Sequence, residues 1–485
     1  MPRKNFYLTT TLPYVNADPH IGFALEIVQA DIVARYRRLM GDEVFFSTGT
    51  DEHGQKIFQK SGDEGRSIQD YVDHYAARFK ELKVALDLSC DAFIRTTDPK
   101  HAAAAQELWR RCEAAGDVYK KKYKGLYCVG DEAFVKGSDL VDGKCPNHPG
   151  MEPVEIEEEN YFFRLSKYQD KLLEYLSRKN VVIPEWRREE AVGFVKQGLE
   201  DFSISRIKEK MPWGISVPGD ESQVMYVWFD ALTNYISTLG WPFSENFEKF
   251  WNNGEVVQVA GKDQVRFQSI MWQAMLMSAG IKATDKVVYH GFITSGGQKM
   301  SKSLGNVIDP VAIVDEYGAD TLRYFLARHV HPFEDSDFTM GRFKEAYNAD
   351  LANGLGNLVA RVMQLSQTHV PAEDLAEAGL ETVGFPKEYT DALEKFEITK
   401  ATDVIWGRIK LLDQQITDTQ PFKVVKNNTE EGKELIAGLV AELAGVAKML
   451  EPIMPATSRK ILDAIKQNKK PETLFPRLPA QASKE

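Results

Sequence analysis

Cysteine is scarce in this chain. Only Cys90, Cys112, Cys128 and Cys145 occur among 485 residues, and such sparse usage argues against a disulfide scaffold. Long apolar runs are missing as well. No stretch of about 18 uncharged apolar residues occurs, so no membrane-spanning helix is expected. The opening Met1-Pro2-Arg3-Lys4-Asn5-Phe6 passes straight into a strand-like segment without an apolar signal region. A cytoplasmic protein with no membrane partner is the expectation. An excess of positive charge is also lacking: the net charge of -11 gives no support to a nucleic-acid partner, because phosphate contacts need clustered Lys and Arg. It does not exclude one. Lys120, Lys121, Lys122 and Lys124 read either as a solvated charge run or as a local basic track. Repeats and low-complexity tracts are absent too. What remains is a globular composition, 43% hydrophobic, long enough for roughly three domains.

Phe6-Tyr7-Leu8-Thr9-Thr10-Thr11 is rich in aromatic and β-branched residues and is broken by Pro13, Asn16, Asp18 and Pro19 before a helical pattern at Leu25, Val28, Ile32 and Tyr36. The reading is strand, loop, helix. Glu43-Val44-Phe45-Phe46-Ser47 repeats it, running through Thr48-Gly49-Thr50-Asp51-Glu52-His53-Gly54 into a helix with Tyr71, Tyr75, Phe79, Leu82 and Leu86 in register. Such alternation predicts a doubly wound parallel sheet. From roughly 116 to 225 the segments become short, aromatic and turn-rich, which predicts an insert. Strands return at Glu255–Val259, before Gly261-Lys262-Asp263, and at Lys286–His290. Beyond about 345 the pattern is helical, with Phe396, Val404, Ile405, Ile409 and Leu412 on one face and Leu435, Ile436, Leu439, Leu443, Val446 and Leu450 on another. A helical bundle follows.

Two loops carry the chemistry. His20-Ile21-Gly22-Phe23 falls at a helix start, where free N–H groups and the dipole favour phosphate. Gly22 would let an adenine ring approach the backbone, and His20 could donate to a phosphate oxygen. By itself His20 could equally be a cap or a solvent contact. Gly296-Gly297-Gln298-Lys299-Met300-Ser301-Lys302-Ser303-Leu304-Gly305-Asn306 is a glycine-flanked loop with two lysines and two hydroxyls. Such a loop can close over a triphosphate and set cations against the charge of departing pyrophosphate.

With both loops in place, the chain resembles the class I aminoacyl-tRNA synthetases, whose two signatures are HIGH and KMSKS, and among them the methionyl-tRNA synthetases. Further blocks similar to that family run along the chain: Leu12-Pro13-Tyr14-Val15-Asn16, Thr50–Gly54, Tyr226-Val227-Trp228-Phe229-Asp230-Ala231, Gly261-Lys262-Asp263, Asn357-Leu358-Val359-Ala360-Arg361 and Pro452-Ile453-Met454-Pro455. The resemblance implies an α/β fold: a Rossmann-type doubly wound parallel sheet interrupted by an inserted connective domain, then an α-helical bundle that binds the anticodon. The expected boundaries are 1–115 and 226–285 for the two catalytic halves, 116–225 for the insert, 286–345 for the KMSKS loop and stem-contact region, and 346–485 for the bundle. The implied activity is ATP-dependent formation of methionyl-adenylate and transfer of the methionyl group to tRNA(Met). His20, Lys299 and Lys302 would steady the phosphates. Gly22, Phe23, Gly261, Asp263, Met300 and Ser301 would join them around ATP, which brings Mg2+. Methionine would lie among Leu12, Tyr14, Asp51, Trp228, Ala231, Tyr235, Gln264, Phe267 and Gln268, its ammonium facing Asp51. Asn357, Arg361 and Phe422 would read the anticodon, and without the resemblance the first two would be a helix cap and a surface ion pair.

The pattern is broken in places. Phe23 stands where the family has a second histidine, Gln264 and Gln268 where it has an apolar residue and a histidine, and Phe422 where it has a tryptophan. The glutamines make the amino-acid wall more polar, which leaves open a sibling synthetase for leucine, isoleucine, valine or cysteine. Phe23 motivates another alternative, a weakened paralogue that only binds tRNA. Cys128-Val129-Gly130-Asp131 and Cys145-Pro146-Asn147-His148 resemble a zinc knuckle with one cysteine replaced by Asp131. Zinc accepts carboxylate as well as thiolate and imidazole, so a zinc site and a metal-free insert both stand. A monomer is expected, for no appended tRNA-binding module is evident.

Overall fold

The computed structural model describes residues 3–129, 133–135, 137, 140–146, 151–300, 305–377 and 384–479. The chain divides into two compact units, one of Met1–Pro19, Met40–Val84 and Ser89–His290, the other of His20–Leu39, Ala85–Leu88 and Gly291–Glu485. Among the described residues no helix is long and apolar enough to cross a membrane.

The strands of the first unit, in chain order, are β1 (Asn5–Thr10), β2 (Glu43–Thr50), β3 (Ala92–Arg95), β4 (Val118–Cys128), β5 (Ala133–Val135), β6 (Val154–Phe163), β7 (Val182–Ile183), β8 (Phe202–Ser203), β9 (Ser205–Ile207), β10 (Ser216–Val217), β11 (Asp220–Met225), β12 (Glu255–Gly261) and β13 (Lys286–His290). Six of them make one sheet in the order β3-β2-β1-β12-β13-β7, and every pairing in it is parallel. Its central strands are apolar on both faces: Phe6, Tyr7 and Leu8 in β1, and Val256, Val257, Val259 and Ala260 in β12, are buried. A parallel sheet covered on both sides requires this. The order reverses between β1 and β12, where Leu8 sits opposite Val257 and Thr10 opposite Val259. Ligands of open α/β sheets bind beyond the carboxyl ends of the strands at such a switch point. The segments that leave those ends are 11–14 and 262–268.

The expected insert carries a sheet of its own, β5-β4-β6-β8, built on a long antiparallel ladder from Val118 opposite Phe163 to Tyr127 opposite Val154. A three-stranded sheet, β10-β11-β9, follows. One piece behaves differently. Val182 and Ile183 leave the insert and pair with Val287 and Val288, which makes β7 the outer strand of the main sheet. Two residues are too few to show an alternation, so the sequence offered no sign of it.

The second unit is mostly helical. Its short strands β14 (Ile293–Ser295) and β15 (Ser336–Phe338) pair in parallel. The long helices Ile398–Thr419 and Thr429–Leu450 bury Ile405, Ile409 and Leu412, and Ile436, Leu439, Leu443, Val446 and Leu450. Phe396, expected on the first of these faces, is buried in the turn before that helix, at φ 61°. Arg323, fully buried in the helix Ala319–Arg328, pairs with Asp31 of the helix Ile21–Leu39 at 2.8 Å. It also donates to the carbonyls of Ile453 at 2.9 Å, Pro452 at 2.8 Å and Leu86 at 3.1 Å.

Candidate active site

In the first unit, Tyr14 and Asp51 come together as a one-residue parallel extension of β1 and β2. The Asp51 N–H donates to the Pro13 carbonyl at 3.0 Å and the Val15 N–H to the Asp51 carbonyl at 3.2 Å. The Asp51 side chain is buried, with the Thr96 hydroxyl 3.5 Å from its carboxylate. Glu52, fully buried, takes two bonds from Arg95 at 2.6 and 2.8 Å and one from Thr50 at 2.7 Å. A carboxylate so sheltered favours a cationic partner, since an isolated charge in low dielectric is costly. Asp51 is thereby suited to an ammonium group.

Trp228 lies flat on Phe267, ring centroids 3.7 Å apart at 14°. Gln268 is buried and donates through Nε2 to the Tyr235 hydroxyl. Its Oε1 and the Trp228 indole N–H are buried without a hydrogen-bond partner among the described residues. Ala231 is buried nearby in sequence, its carbonyl accepting from Asn234 at 2.6 Å. Gln264 donates to the Asp263 carboxylate at 3.0 Å, just after Gly261 closes β12. Leu12 is half-buried on the segment leaving β1.

One cluster in this unit joins His53 and Asp230, which stand in two of the family-like blocks without a role assigned to them, to His101, which the sequence did not single out. Asp230, fully buried, bonds His53 Nδ1 at 2.6 Å through one oxygen and His101 Nε2 at 2.7 Å through the other, and His101 Nδ1 meets the Ser237 hydroxyl at 2.8 Å. Burial pushes the Asp230 carboxyl up, but the two histidines outweigh it and hold it at about 2. The cluster fixes the loop after Asp51 to the helix that carries Trp228 and Ala231. No local signal could have found it, because its members are joined only by the fold.

In the second unit, the His20 ring folds back over its own helix start. Its Nδ1 accepts from the Gly22 N–H at 3.0 Å, which leaves Nε2 to carry the proton and act as donor. A Cβ on Gly22 would lie 2.7 Å from His20 Cε1, so only glycine admits this pose. Phe23 covers the imidazole, ring centroids 4.5 Å apart, and burial lowers the His20 pKa to about 4. The histidine is thus a neutral donor at neutral pH. Gly296 and Gly297, at φ 61° and 75°, make the tight turn that precedes Lys299, and Ser295 pairs with Gln298 across it. Asp337 holds the turn by accepting from the Thr294 hydroxyl and the Gly297 N–H, both at 2.7 Å. Lys299 is exposed and Met300 half-buried. Ser301 and Lys302 lie outside the described residues.

Asn357 and Arg361 are both exposed, one turn apart on the helix Asn357–His369. Arg361 pairs with Asp413. Phe422, on the helix Pro421–Asn427, is 40% exposed, an unusual setting for a bare ring. Of the four expected metal ligands, Cys128 ends β4 and Cys145 follows the Val141–Lys144 bridge, both buried. Asp131 and His148 lie outside the described residues. Among the described residues no three His, Cys, Asp or Glu side chains gather to hold a metal.

The family model for class I tRNA synthetases (M) matches residues 6–152 and 149–363. A methionine–tRNA ligase from Fusobacterium nucleatum subsp. nucleatum is 39% identical over 475 residues, which cover 95% of this chain and 74% of that protein. The chain belongs to the methionine–tRNA ligases of class I. A second such ligase, from Mesorhizobium japonicum, is 40% identical over 96% of this chain and 92% of its own length. The ligase fold is matched by Mycobacterium tuberculosis methionyl-tRNA synthetase in complex with methionyl-adenylate, at a TM-score of 0.87 and 36% identity, covering 98% of this chain and 99% of that one. The apo form of the same mycobacterial synthetase matches at a TM-score of 0.82.

Proposed function

We propose that this methionine–tRNA ligase activates methionine with ATP and charges tRNA(Met) in two steps at one site. In the first, a methionine carboxylate oxygen attacks the α-phosphorus of ATP, the bond to pyrophosphate breaks and methionyl-adenylate forms. In the second, a hydroxyl of the 3′-terminal ribose attacks the methionyl carbonyl carbon, AMP leaves and the hydroxyl proton is lost.

Asp51 meets the methionine ammonium, and Tyr14, Leu12, Ala231 and the stacked Trp228 and Phe267 enclose the rest of the amino acid. Tyr235 with Gln268 forms the polar part of the wall. Gln264 stands on the same wall and bonds Asp263, which with Gly261 faces the ATP ribose. His20 donates from Nε2 to a phosphate oxygen, beside Gly22 and Phe23, and Lys299 and Lys302, with Met300 and Ser301, offset the charge that builds on pyrophosphate. Positioning and electrostatics carry such transfers, so no side chain acts as nucleophile. Mg2+ accompanies ATP and neutralises part of the triphosphate charge. Zinc, where bound, would be held by Cys128, Asp131, Cys145 and His148, a donor set it accepts. Asn357, Arg361 and Phe422 read the anticodon by hydrogen bonds and stacking. The chain works as a cytoplasmic monomer.

This reading is carried by likeness over 98% of the chain to a protein solved with methionyl-adenylate. Exchange of labelled pyrophosphate into ATP tests it. Methionine is expected to support exchange, with leucine, isoleucine, valine and cysteine at least about a hundredfold weaker in kcat/KM, the scale on which pockets separate apolar side chains. Exchange with none of them would leave only a tRNA-binding protein, and exchange with leucine instead would reassign the substrate.

A further inference from the structure

The lysine loop stands on the strand pair β14–β15, and that footing is closely built. In register, Ile293 faces Ser336, Thr294 faces Asp337 and Ser295 faces Phe338. At the base, a Cβ on Gly291 would lie 2.1 Å from the Glu334 carbonyl carbon, so only glycine lets the two backbones approach this far. The Phe292 N–H donates to the Asp335 carboxylate at 2.9 Å, and the Ser336 N–H to the Phe292 carbonyl at 2.9 Å. β15 is fixed from its other end as well. Phe338 is fully buried against Phe325 and Phe343, ring centroids 5.1 and 5.8 Å away, and Arg342 donates to the Asp337 carbonyl. Asp337 is thus carried by a packed element, whereas Gly296, Gly297, Gln298 and Lys299 are all exposed.

One oxygen of Asp337 makes both of its side-chain contacts to this turn. Oδ1 accepts from the Thr294 hydroxyl and from the Gly297 N–H, each at 2.7 Å. The first bond ties β14 to β15. The second reaches beyond the strand to the glycine pair, just after which the Gln298 carbonyl accepts from the Ser295 N–H at 2.9 Å. Lys299 follows at once, and its carbonyl accepts from the Asn306 side chain at 3.2 Å. Two exposed glycines have wide conformational freedom, so a turn not held at Gly297 would present Lys299 from many directions. An ammonium offsets developing charge well only from a fixed place. We propose that Asp337 is a positioning residue for adenylate formation: by holding Gly297 it sets where Lys299 meets the departing pyrophosphate. The proposal rests on the two-step reading above. Pyrophosphate leaves in the first step and has no part in the second, so Asp337 serves one half-reaction only. Because both bonds end on a single oxygen, the acceptor matters and the negative charge does not.

The two half-reactions separate the proposal from that reading. In the full chain, Asp337→Ala is expected to lower kcat for methionine-dependent pyrophosphate exchange about tenfold, with the methionine KM within about twofold of the parent. Single-turnover transfer from preformed methionyl-adenylate to tRNA should also stay within about twofold. Asp337→Asn keeps the accepting oxygen and should bring exchange back to within about threefold of the parent. Thr294→Val removes one donor at nearly constant shape and should slow exchange in the same sense, adding nothing when combined with Asp337→Ala. Loss of exchange in the parent overturns the two-step reading, and the proposal with it. Where the parent exchanges normally, an unchanged rate in Asp337→Ala overturns the proposal alone. An asparagine variant as slow as the alanine one does the same, because charge would then be the acting feature. Equal losses of exchange and transfer also overturn it, as the mark of a general disturbance of the fold. Should Asp337→Ala fail to fold, Thr294→Val decides by the same split: slower exchange with intact transfer supports the proposal, and unchanged exchange overturns it.

Discussion

A methyl group on Gly22 would stand 2.7 Å from one atom of the His20 ring and 2.9 Å from another, closer than side-chain carbons come to anything. Gly22→Ala must therefore turn the imidazole off the helix start. Pyrophosphate exchange is expected to fall at least about tenfold, equivalent to about 1.4 kcal/mol of transition-state stabilisation, with the methionine KM little changed; a rate within twofold would detach His20 from the reaction. The ring itself should titrate near 4, well under the ordinary histidine value of about 6.5. As pH falls through that interval the unfolded chain takes up a proton that folded His20 refuses. Its contribution to stability is accordingly whole above about 6.5, declines down to about 4 and changes no further below it. Nitrogen chemical shifts of His20 would follow this directly, and a midpoint near 6.5 would contradict the burial seen under Phe23. The residues of this loop could be singled out in the sequence, but their pose could not. In the sequence Phe23 is only the place of a missing second histidine, whereas in the fold it covers His20, whose burial keeps it neutral.

At the level of strands and helices, the parts of the site that could be read beforehand are those where an apolar run ends at a glycine or an acid. Thr50-Asp51 and Gly261-Lys262-Asp263 announce strand ends, the second at the point where the sheet order reverses and the first bridged to Tyr14 on the segment that leaves β1. The link between His53 and Asp230 spans 177 positions and that between His101 and Asp230 spans 129, so no periodicity could register either. Arg323 is another such case. The block Pro452-Ile453-Met454-Pro455 stood out in the sequence without a reason, and the structure supplies one: two carbonyls of that turn, together with Asp31 and the Leu86 carbonyl, satisfy a fully buried guanidinium. Arg323→Met would take away one of the two cations on buried Asp31, leaving it to Arg35 at 2.8 Å, and would remove the donor of three carbonyls. A loss of about 3–5 kcal/mol is expected by urea unfolding, and adding Asp31→Asn should recover none of it, since Arg35 then loses that carboxylate. A double variant more stable than Arg323→Met would mean that Arg35 does not compensate the Asp31 charge.

For the molecule as a whole, the insert decides what kind of protein this is chemically. Cys128 and Cys145 are both buried in it. Metal analysis of the purified protein decides between a zinc site and a metal-free insert: about one zinc per chain, falling on prolonged chelation together with thermal stability, would establish the site. Fewer than about 0.1 zinc without exposure to chelator would make the two thiols ordinary core residues. The alternation of strands and helices along the sequence sufficed for the layered class of the first unit and for the helical character of the second, because both rest on periodicity. It could not show that the helix Ile21–Leu39 belongs with the second unit, apart from the strand that precedes it, since that grouping is a matter of packing alone.

The two residues of β7 bear on how such a protein could be taken apart. Trimming residues 116–225 to obtain a smaller catalytic body would remove Val182 and Ile183 and bare the amide groups of Val287 and Val288 along one side of β13. An uncovered, apolar strand of this kind is a template on which other chains can add. The shortened protein would then meet its first difficulty in solution, as self-association, before any question of what it binds arose.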